Sequence, residues 1–360
     1  LCQRAPILDT RAQACGLSCF YVTVDDCQKK DIFNPSDYGE FAMTDPILPM
    51  RVARLAALTP RILGITLEPE NGTSLVPVVA GAHIDVQIPC DEGLIRQYSL
   101  TGAPGTRDRY EIAVLRESRS RGGSAWIHSQ LSVGDTLEIS APRDRFALFE
   151  PAPHHVLIAG GIGIAPIWSL AQRLMQIGAS WEMHYAAATS KDAAFVSEIR
   201  QCGAAKLKTY FSRDGQERLS FEAVAQACAP DSHVYCCGPA RMMEAFDVAF
   251  GALPESRRHR EHFAAVAAPA TEGGFEVVLA RTGCTVQVGE GQTILEAVRA
   301  AGVSATFSCA EGVCGMCETR VIEGVADHRD SVMTADEQAR GETMMICCSG
   351  AKTQRLVLDL

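Results

Sequence analysis

The sequence predicts three folded parts in succession: an antiparallel β-barrel, an α/β unit built on a parallel sheet, and a small β-rich domain that carries a cysteine loop. Three observations predict this. From Met50 to about residue 150, short segments alternate apolar and polar residues with period two, as half-buried strands do. After Pro151, apolar strand-like runs alternate with helical patterns, the mark of a parallel sheet. Beyond a stretch rich in Ala, Pro and Gly at 263–274, Cys309, Cys314 and Cys317 fall in C-x4-C-x2-C spacing, and Cys347 follows at a distance. A chain of 360 residues has room for that many domains.

Residues 1–48 show no helical or strand period. They read as an N-terminal extension or linker, or as the tail of an upstream domain. The start at Leu1 rather than Met fits a chain cut from something longer. Cys2, Cys15, Cys19 and Cys27 form a candidate zinc set, because closely spaced thiolates are common zinc ligands. Cys15 and Cys19 do not make a CxxC knuckle, so free thiols in a linker are the plainer reading. The barrel is expected over 49–150, with strands near 51–55, 62–67, 84–88, 110–115 and 136–139 and one short helix near 126–131.

The α/β unit is expected over 151–262. A strand at 155–159 runs into a glycine turn and a helix at 167–177. Further strands at 181–186, 207–211 and 233–237 alternate with helices at 193–201, 221–227 and 240–252. Residues 263–274 read as a linker. The last domain, 275–360, opens with a hairpin (275–279 and 285–288). A helix follows at 293–301, with Thr293 to cap it and Gly302 to end it, and a strand at 355–360 closes the chain.

Composition excludes several classes. A net charge of −10 argues against nucleic acid and anionic membrane as partners. No apolar run approaches the about 20 residues of a membrane span, and the N-terminus has no signal-peptide pattern. The 15 cysteines bunch towards the ends, with adjacent pairs at Cys236-Cys237 and Cys347-Cys348. That distribution suits thiolates used for metal in a reducing cytoplasm better than a secreted disulfide framework.

Four motifs carry chemistry. The C-x4-C-x2-C…C spacing, with Gly312 and Gly315 inside it, is that of plant-type ferredoxins holding a [2Fe–2S] cluster; structural zinc prefers two separated CxxC pairs. Either Cys347 or Cys348 can be the fourth ligand on spacing alone, and Cys284 reads as a core thiol. Arg96-Gln97-Tyr98-Ser99-Leu100, on a barrel strand, suits a flavin: a guanidinium for phosphate, an aromatic face for the ring, a hydroxyl for its polar edge. A surface ion pair is the plainer reading of Arg96. Arg121-Gly122-Gly123-Ser124 at a helix start makes an anion site. Gly160-Gly161-Ile162-Gly163-Ile164-Ala165-Pro166, between strand and helix, can admit a dinucleotide pyrophosphate, although it is not the GxGxxG pattern. Cys237-Gly238-Pro239 follows another strand, so Cys237 is placed to touch a nicotinamide, while Cys236 points into the core.

Taken in order, these motifs resemble the phthalate dioxygenase reductase and vanillate O-demethylase reductase family, within the ferredoxin–NADP reductase superfamily. The match runs from about residue 50 to 360, and His328-Arg329-Asp330 and Met345-Ile346-Cys347-Cys348-Ser349 strengthen it. The resemblance implies an FMN barrel, an NADH domain and a β-grasp plant-type ferredoxin domain. It implies FMN contacts from Arg96, Tyr98, Ser99, Gly122, Gly123 and Ser124, NADH contacts from Gly161, Gly163 and Cys237, and Phe263 as the aromatic cover of the flavin face. It selects Cys347 over Cys348 as the ligand beside Cys309, Cys314 and Cys317. Ala165 stands where the family commonly has Thr, and Ala188-Thr189 where it often has Arg-Ser. No basic cluster for a 2′-phosphate stands near 186–190, so NADH is expected over NADPH.

The implied activity is electron delivery to a terminal oxygenase or demethylase docked near the ferredoxin domain. A cluster near about −400 mV is low enough for that task. A stand-alone NADH-dependent reductase of a small molecule is the alternative. The sequence shows no Rieske ligand set of its own.

Overall fold

The structure is a computed structural model that describes residues 47–89, 94–118, 120, 122–202 and 206–360. Cys2, Cys15, Cys19 and Cys27, the 1–48 extension except its last two residues, and Arg121 lie outside the described residues. No helix among the described residues is long and apolar enough to cross a membrane.

The first sheet comprises β1 (Leu48–Ala57), β2 (Ile62–Pro69), β3 (Ala82–Ile88), β4 (Leu94–Ser99), β5 (Tyr110–Leu115), β6 (Thr136–Ile139) and β7 (Arg143–Asp144). Its order is β4-β3-β6-β1-β2-β5, all antiparallel, with β7 paired to β3. A bridge between Leu100 and Ile112 joins the end of β4 back to β5, so the barrel is nearly closed. Alternation sends Met50, Val52, Ile65, Leu67, Ile84 and Val86 inward to one core. Helix α1 (Gly123–Gln130) covers one mouth and contributes the buried Ile127.

The second sheet comprises β8 (His155–Gly160), β9 (Trp181–Ala187), β10 (Lys206–Phe211), β11 (His233–Cys237) and β12 (Arg258–Glu261). It is parallel throughout, in the order β10-β9-β8-β11-β12. Helices α2 (Ile164–Gln176), α3 (Val196–Gln201), α4 (Phe221–Ala227) and α5 (Ala240–Ala249) alternate with the strands. The strand order reverses between β8 and β11, and open α/β sheets bind ligands at the carboxyl edge of such a reversal. β8 is buried along its whole length, which explains its unbroken apolar run. The core on one side of this sheet also takes in Ile62, Ala113 and Phe146, so barrel and sheet share apolar packing.

The third sheet comprises β13 (Phe275–Leu279), β14 (Cys284–Val288), β15 (Glu318–Glu323), β17 (Thr343–Met345) and β19 (Arg355–Leu358). The short pair β16 (Ala326–Asp327) and β18 (Gly350–Ala351) lies beside it. Its order, β14-β13-β19-β15-β17, has β13 and β19 parallel between antiparallel neighbours, and α6 (Ile294–Ala300) buries Leu295 and Val298 on its core, as in a β-grasp fold. Thr293 caps α6 in a full capping box with Glu296, as its position suggested. A further helix, α7 (Ala335–Arg340), uses the same device with Thr334 and Glu337. The segment at 263–274 is not free of the domain it precedes. The Ala270 amide donates to the Cys348 carbonyl at 2.8 Å, and Thr271 accepts from Gly291 at 2.7 Å.

At the reversal point, the turn after β8 and the turn after β11 touch backbone to backbone. A Cβ added to Gly163 would lie 2.2 Å from the Cys237 carbonyl oxygen. Gly163→Ala is therefore expected to push these turns apart and cost about 1–3 kcal/mol. A fall in melting temperature without loss of the iron–sulfur absorbance would show that cost.

Candidate functional site

A cavity of about 240 Å³ is walled by residues of the barrel, the α/β unit and the cysteine loop. The barrel contributes Arg96, Tyr98 and Ser99 of β4, His83 of β3, and Ser124 of α1; the parallel sheet contributes Ile162, Ala165, Glu261 and Phe263; the cysteine loop contributes Glu311 and Val313.

β4 organises the barrel wall. The Arg96 side chain lies against the start of α1, where a Cβ on Gly123 would sit 3.0 Å from its Cγ. Its Nη1 donates to the Ile95 carbonyl at 2.8 Å, and no carboxylate among the described residues pairs with it. The guanidinium is thus placed beside the N-terminus of a helix that has no acidic residue in its first turn. Both favour an anion. Gly122 forms the N-cap, and Ser124 Oγ accepts from the Glu117 amide at 3.2 Å and donates to Ser120 Oγ at 3.1 Å. Ser120 also lines the cavity, a residue that the motif reading missed. Burial keeps the Tyr98 hydroxyl protonated by pushing its pKa up, against the opposing pull of Arg96.

On the nucleotide side, Gly161 adopts φ +55° and has open space where a Cβ would stand. Ile162 and Ala165 face the cavity. Cys237 does not. It is fully buried in the core cluster that includes Phe146, Ile164 and Tyr235, so the structure places its thiol behind the wall and not on it. Cys236 lies in the core on the sheet's other side, with its Sγ 3.8 Å from Met243 Sδ. Phe263 lines the cavity while 43% exposed, an aromatic ring left uncovered at the mouth.

The cysteine loop fits an iron–sulfur cluster. Backbone amides aim at its sulfurs: Cys309 N to Cys314 Sγ at 3.4 Å, Glu311 N to Cys309 Sγ at 3.3 Å, and Gly312 N to Cys347 Sγ at 3.2 Å. Thiolates in such a cluster need inward-pointing donors. Gly312 must be glycine here: its φ is +72°, and a Cβ would lie 2.5 Å from Cys348 Sγ. The thiols of Cys314 and Cys347 hydrogen-bond Cys309, which lowers its pKa while theirs are pushed up, so the sulfurs stand within reach of one another. Cys347 Sγ accepts from the loop amide of Gly312, while Cys348 Sγ, which also packs against Gly312, lies 3.8 Å from the Met345 carbonyl and 3.9 Å from Ser349 Oγ. The segment His328-Arg329-Asp330 lies beneath: Ser331 N donates to the Gly312 carbonyl at 3.0 Å, and Arg329 N to Ser349 Oγ at 3.2 Å. Among the described residues no three His, Cys, Asp or Glu side chains gather as one bound ion requires. A two-iron cluster instead takes four thiolates across two irons.

Two groups on the wall, the buried His83 and the partly buried Glu261, escaped the motif reading. His83 is 5% exposed, and neither ring nitrogen has a hydrogen-bond partner. Burial, helped by Arg143, pulls its pKa to about 4, so the ring is neutral. Glu261 ends β12 with Oε2 unpartnered. Burial, helped by Asp144, raises its pKa from 4.5 to about 8. The unfolded chain releases this proton near 4.5 and the folded chain keeps it to about 8, so stability falls as pH rises through that window. Glu261→Gln should flatten this decline. Melting temperatures at several pH values between 5 and 8 would test it, and equal slopes in the two proteins would refute the assignment.

Comparison with known proteins places this geometry. Residues 277–352 match the family described as a 2Fe-2S iron-sulfur cluster binding domain, and 157–247 the family described as an oxidoreductase NAD-binding domain. The chain is 48% identical to phenoxybenzoate dioxygenase subunit beta of Ectopseudomonas oleovorans, over 86% of this chain and 97% of that one. It is 44% identical to tetrachlorobenzoquinone reductase of Sphingobium chlorophenolicum, over 88% and 100%. In structure it is similar to an intact type IV self-sufficient cytochrome P-450 monooxygenase, with TM-score 0.80 and 40% identity over 87% of this chain. The chain spans only 41% of that protein's length. It is also similar to phthalate dioxygenase reductase, with TM-score 0.64 and 36% identity over 87% of this chain and 98% of that one. Identity at this level across whole relatives, with the barrel, parallel sheet and cysteine loop meeting at one cavity, means that the chain belongs to the phthalate dioxygenase reductase-like family of oxygenase reductases.

Proposed function

We propose that this chain takes electrons from NADH at an FMN held in the cavity and passes them singly, through a [2Fe–2S] cluster, to a terminal oxygenase or demethylase. The observation that carries the reading is the shared cavity: a flavin-type strand, a glycine turn of a parallel sheet and a cysteine loop all wall it. NADH yields two electrons together and a cluster accepts one, so a flavin supplies the exchange between them. The protein's own work is binding and placement.

Arg96 and the N-terminus of α1, at Gly122, Gly123 and Ser124, would hold the flavin phosphate. Tyr98 and Ser99 would hold the ring, and Phe263 would cover the face that the nicotinamide must reach. Gly161 and Gly163 would let the pyrophosphate approach the start of α2, with Cys237 supporting that turn from within. Cys309, Cys314, Cys317 and Cys347 would be the cluster ligands. The relatives named as dioxygenase subunits and reductases support an oxygenase as acceptor, and a cytoplasmic location fits this chemistry. The relative named tetrachlorobenzoquinone reductase favours a second reading, in which a small molecule takes the electrons directly.

Cofactor extraction tests the core of the reading. About one FMN, two irons and two sulfides per chain are expected, as one flavin and one cluster require; FAD or an iron-free protein would overturn it. Zinc beside two irons would assign a second site to the N-terminal cysteines. Cys314→Ser is expected to abolish delivery to an added oxygenase while NADH still bleaches the flavin. Loss of bleaching in a folded Cys314→Ser protein would contradict the relay order. Turnover of a quinone in that variant at the parent rate would favour the second reading.

A further inference from the structure

The barrel and the cysteine loop are joined by a polar junction that none of the cofactor contacts above explains. Gln97 stands between Arg96 and Tyr98 on β4, so strand alternation turns it to the opposite side. Its Nε2 donates twice: to Asp85 Oδ1 on β3 at 2.9 Å, and to Ser308 Oγ at 2.6 Å. Ser308 immediately precedes Cys309 and is 8% exposed. Asp85 is 1% exposed and is anchored by Arg143, whose Nη2 lies 2.6 Å from Oδ1. Its own amide donates to Ser140 Oγ at 3.0 Å. A buried ion pair thus holds an amide whose second hydrogen is committed to the cysteine loop. A second tie meets the loop's other end: the Arg145 guanidinium packs over Gly315, and its Nη2 lies 3.8 Å from Glu318.

We propose that Gln97, braced by Asp85 and Arg143, is a positioning residue that sets the separation between the flavin cavity and the cysteine loop through its hydrogen bond to Ser308. The inference rests on the flavin-and-cluster reading given above. Gln97 suits the task because an amide supplies two donors without placing a charge beside the thiolates. It also lines the cavity, so one side chain touches the barrel's buried carboxylate, the loop and the flavin space. In the step concerned the reduced flavin loses one electron and the cluster gains it. No bond forms or breaks at Gln97, and only distance and orientation are at stake. Small misplacements of reacting groups cost large factors in rate.

The test uses the holoprotein and the variants Ser308→Ala, Ser308→Thr, Gln97→Leu and the double variant Gln97→Leu/Ser308→Ala. Stopped-flow mixing with NADH reads flavin bleaching and cluster bleaching separately. In Ser308→Ala, flavin bleaching is expected at the parent rate and cluster bleaching about tenfold slower. Ser308→Thr, which keeps the hydroxyl, should recover most of the loss. The double variant should be no slower than the slower single variant, because both remove one bond. Amide exchange over 308–312 should quicken in Ser308→Ala, while the cluster's midpoint potential and visible spectrum stay unchanged. Parent-rate cluster bleaching in Ser308→Ala, or additive losses in the double variant, would overturn the proposal. So would a shifted cluster potential, since Ser308 would then tune the cluster and not its position. A parent protein that holds no cluster, or whose flavin NADH does not bleach, would overturn the underlying reading as well.

Discussion

The alternation of side chains along a single barrel strand is the constraint from which the rest of this structure follows. On β4, Arg96 and Tyr98 turn towards α1 and the barrel, and Gln97 and Ser99 turn the other way. Four consecutive residues can therefore face a bound flavin, a helix N-terminus and a neighbouring domain together. A slip of one residue in the pairing of β4 with β3 would exchange all of these partners. The register is pinned by the buried Asp85 on β3, which needs both Arg143 and Gln97 to satisfy its carboxylate.

The parallel sheet meets a different demand with the same economy of means. Its strand order reverses between β8 and β11, and the two turns that leave them are in backbone contact at Gly163 and Cys237. That contact brings the start of α2 to the edge of the cavity, where Ile162 and Ala165 form part of the wall. β12 then delivers Glu261 and Phe263 to the same edge. Burial raises the pKa of the Glu261 carboxyl at this edge, whereas Glu117 and Glu311 also line the cavity.

Much of this was legible in the sequence, because periodicity and cysteine spacing are local signals. The strand periods of the barrel, the apolar run of β8, the capping residue of α6 and the direction of Cys236 all followed from residues close together in the chain. Other elements stayed hidden for physical reasons. β12 reads Arg-His-Arg-Glu and β15 reads Glu-Thr-Arg-Val-Ile-Glu, so neither carries an apolar stripe; neighbouring strands hold them in place instead. Helix α7 has only six residues, although its Thr334–Glu337 capping box was visible. His83, Glu261 and Gln97 look like ordinary polar strand residues until a domain far along the chain closes over them. Gln97 and Ser308 are 211 positions apart. Cys237, whose motif position suggested contact with the ligand, is fully buried and does not line the cavity.

The burial of the cysteine sulfurs has a consequence for how this protein is made. Cys314, Cys317 and Cys347 are each at most 4% exposed once the loop is closed, and the segment 328–331 lies across Gly312 beneath it. Cys309, the fourth cysteine, is only partly buried. A loop that closes over its ligands couples cluster binding to folding, so binding free energy becomes folding free energy for this domain. The rate at which active protein accumulates in a cell would then be governed by the supply of the cluster-building machinery as much as by translation.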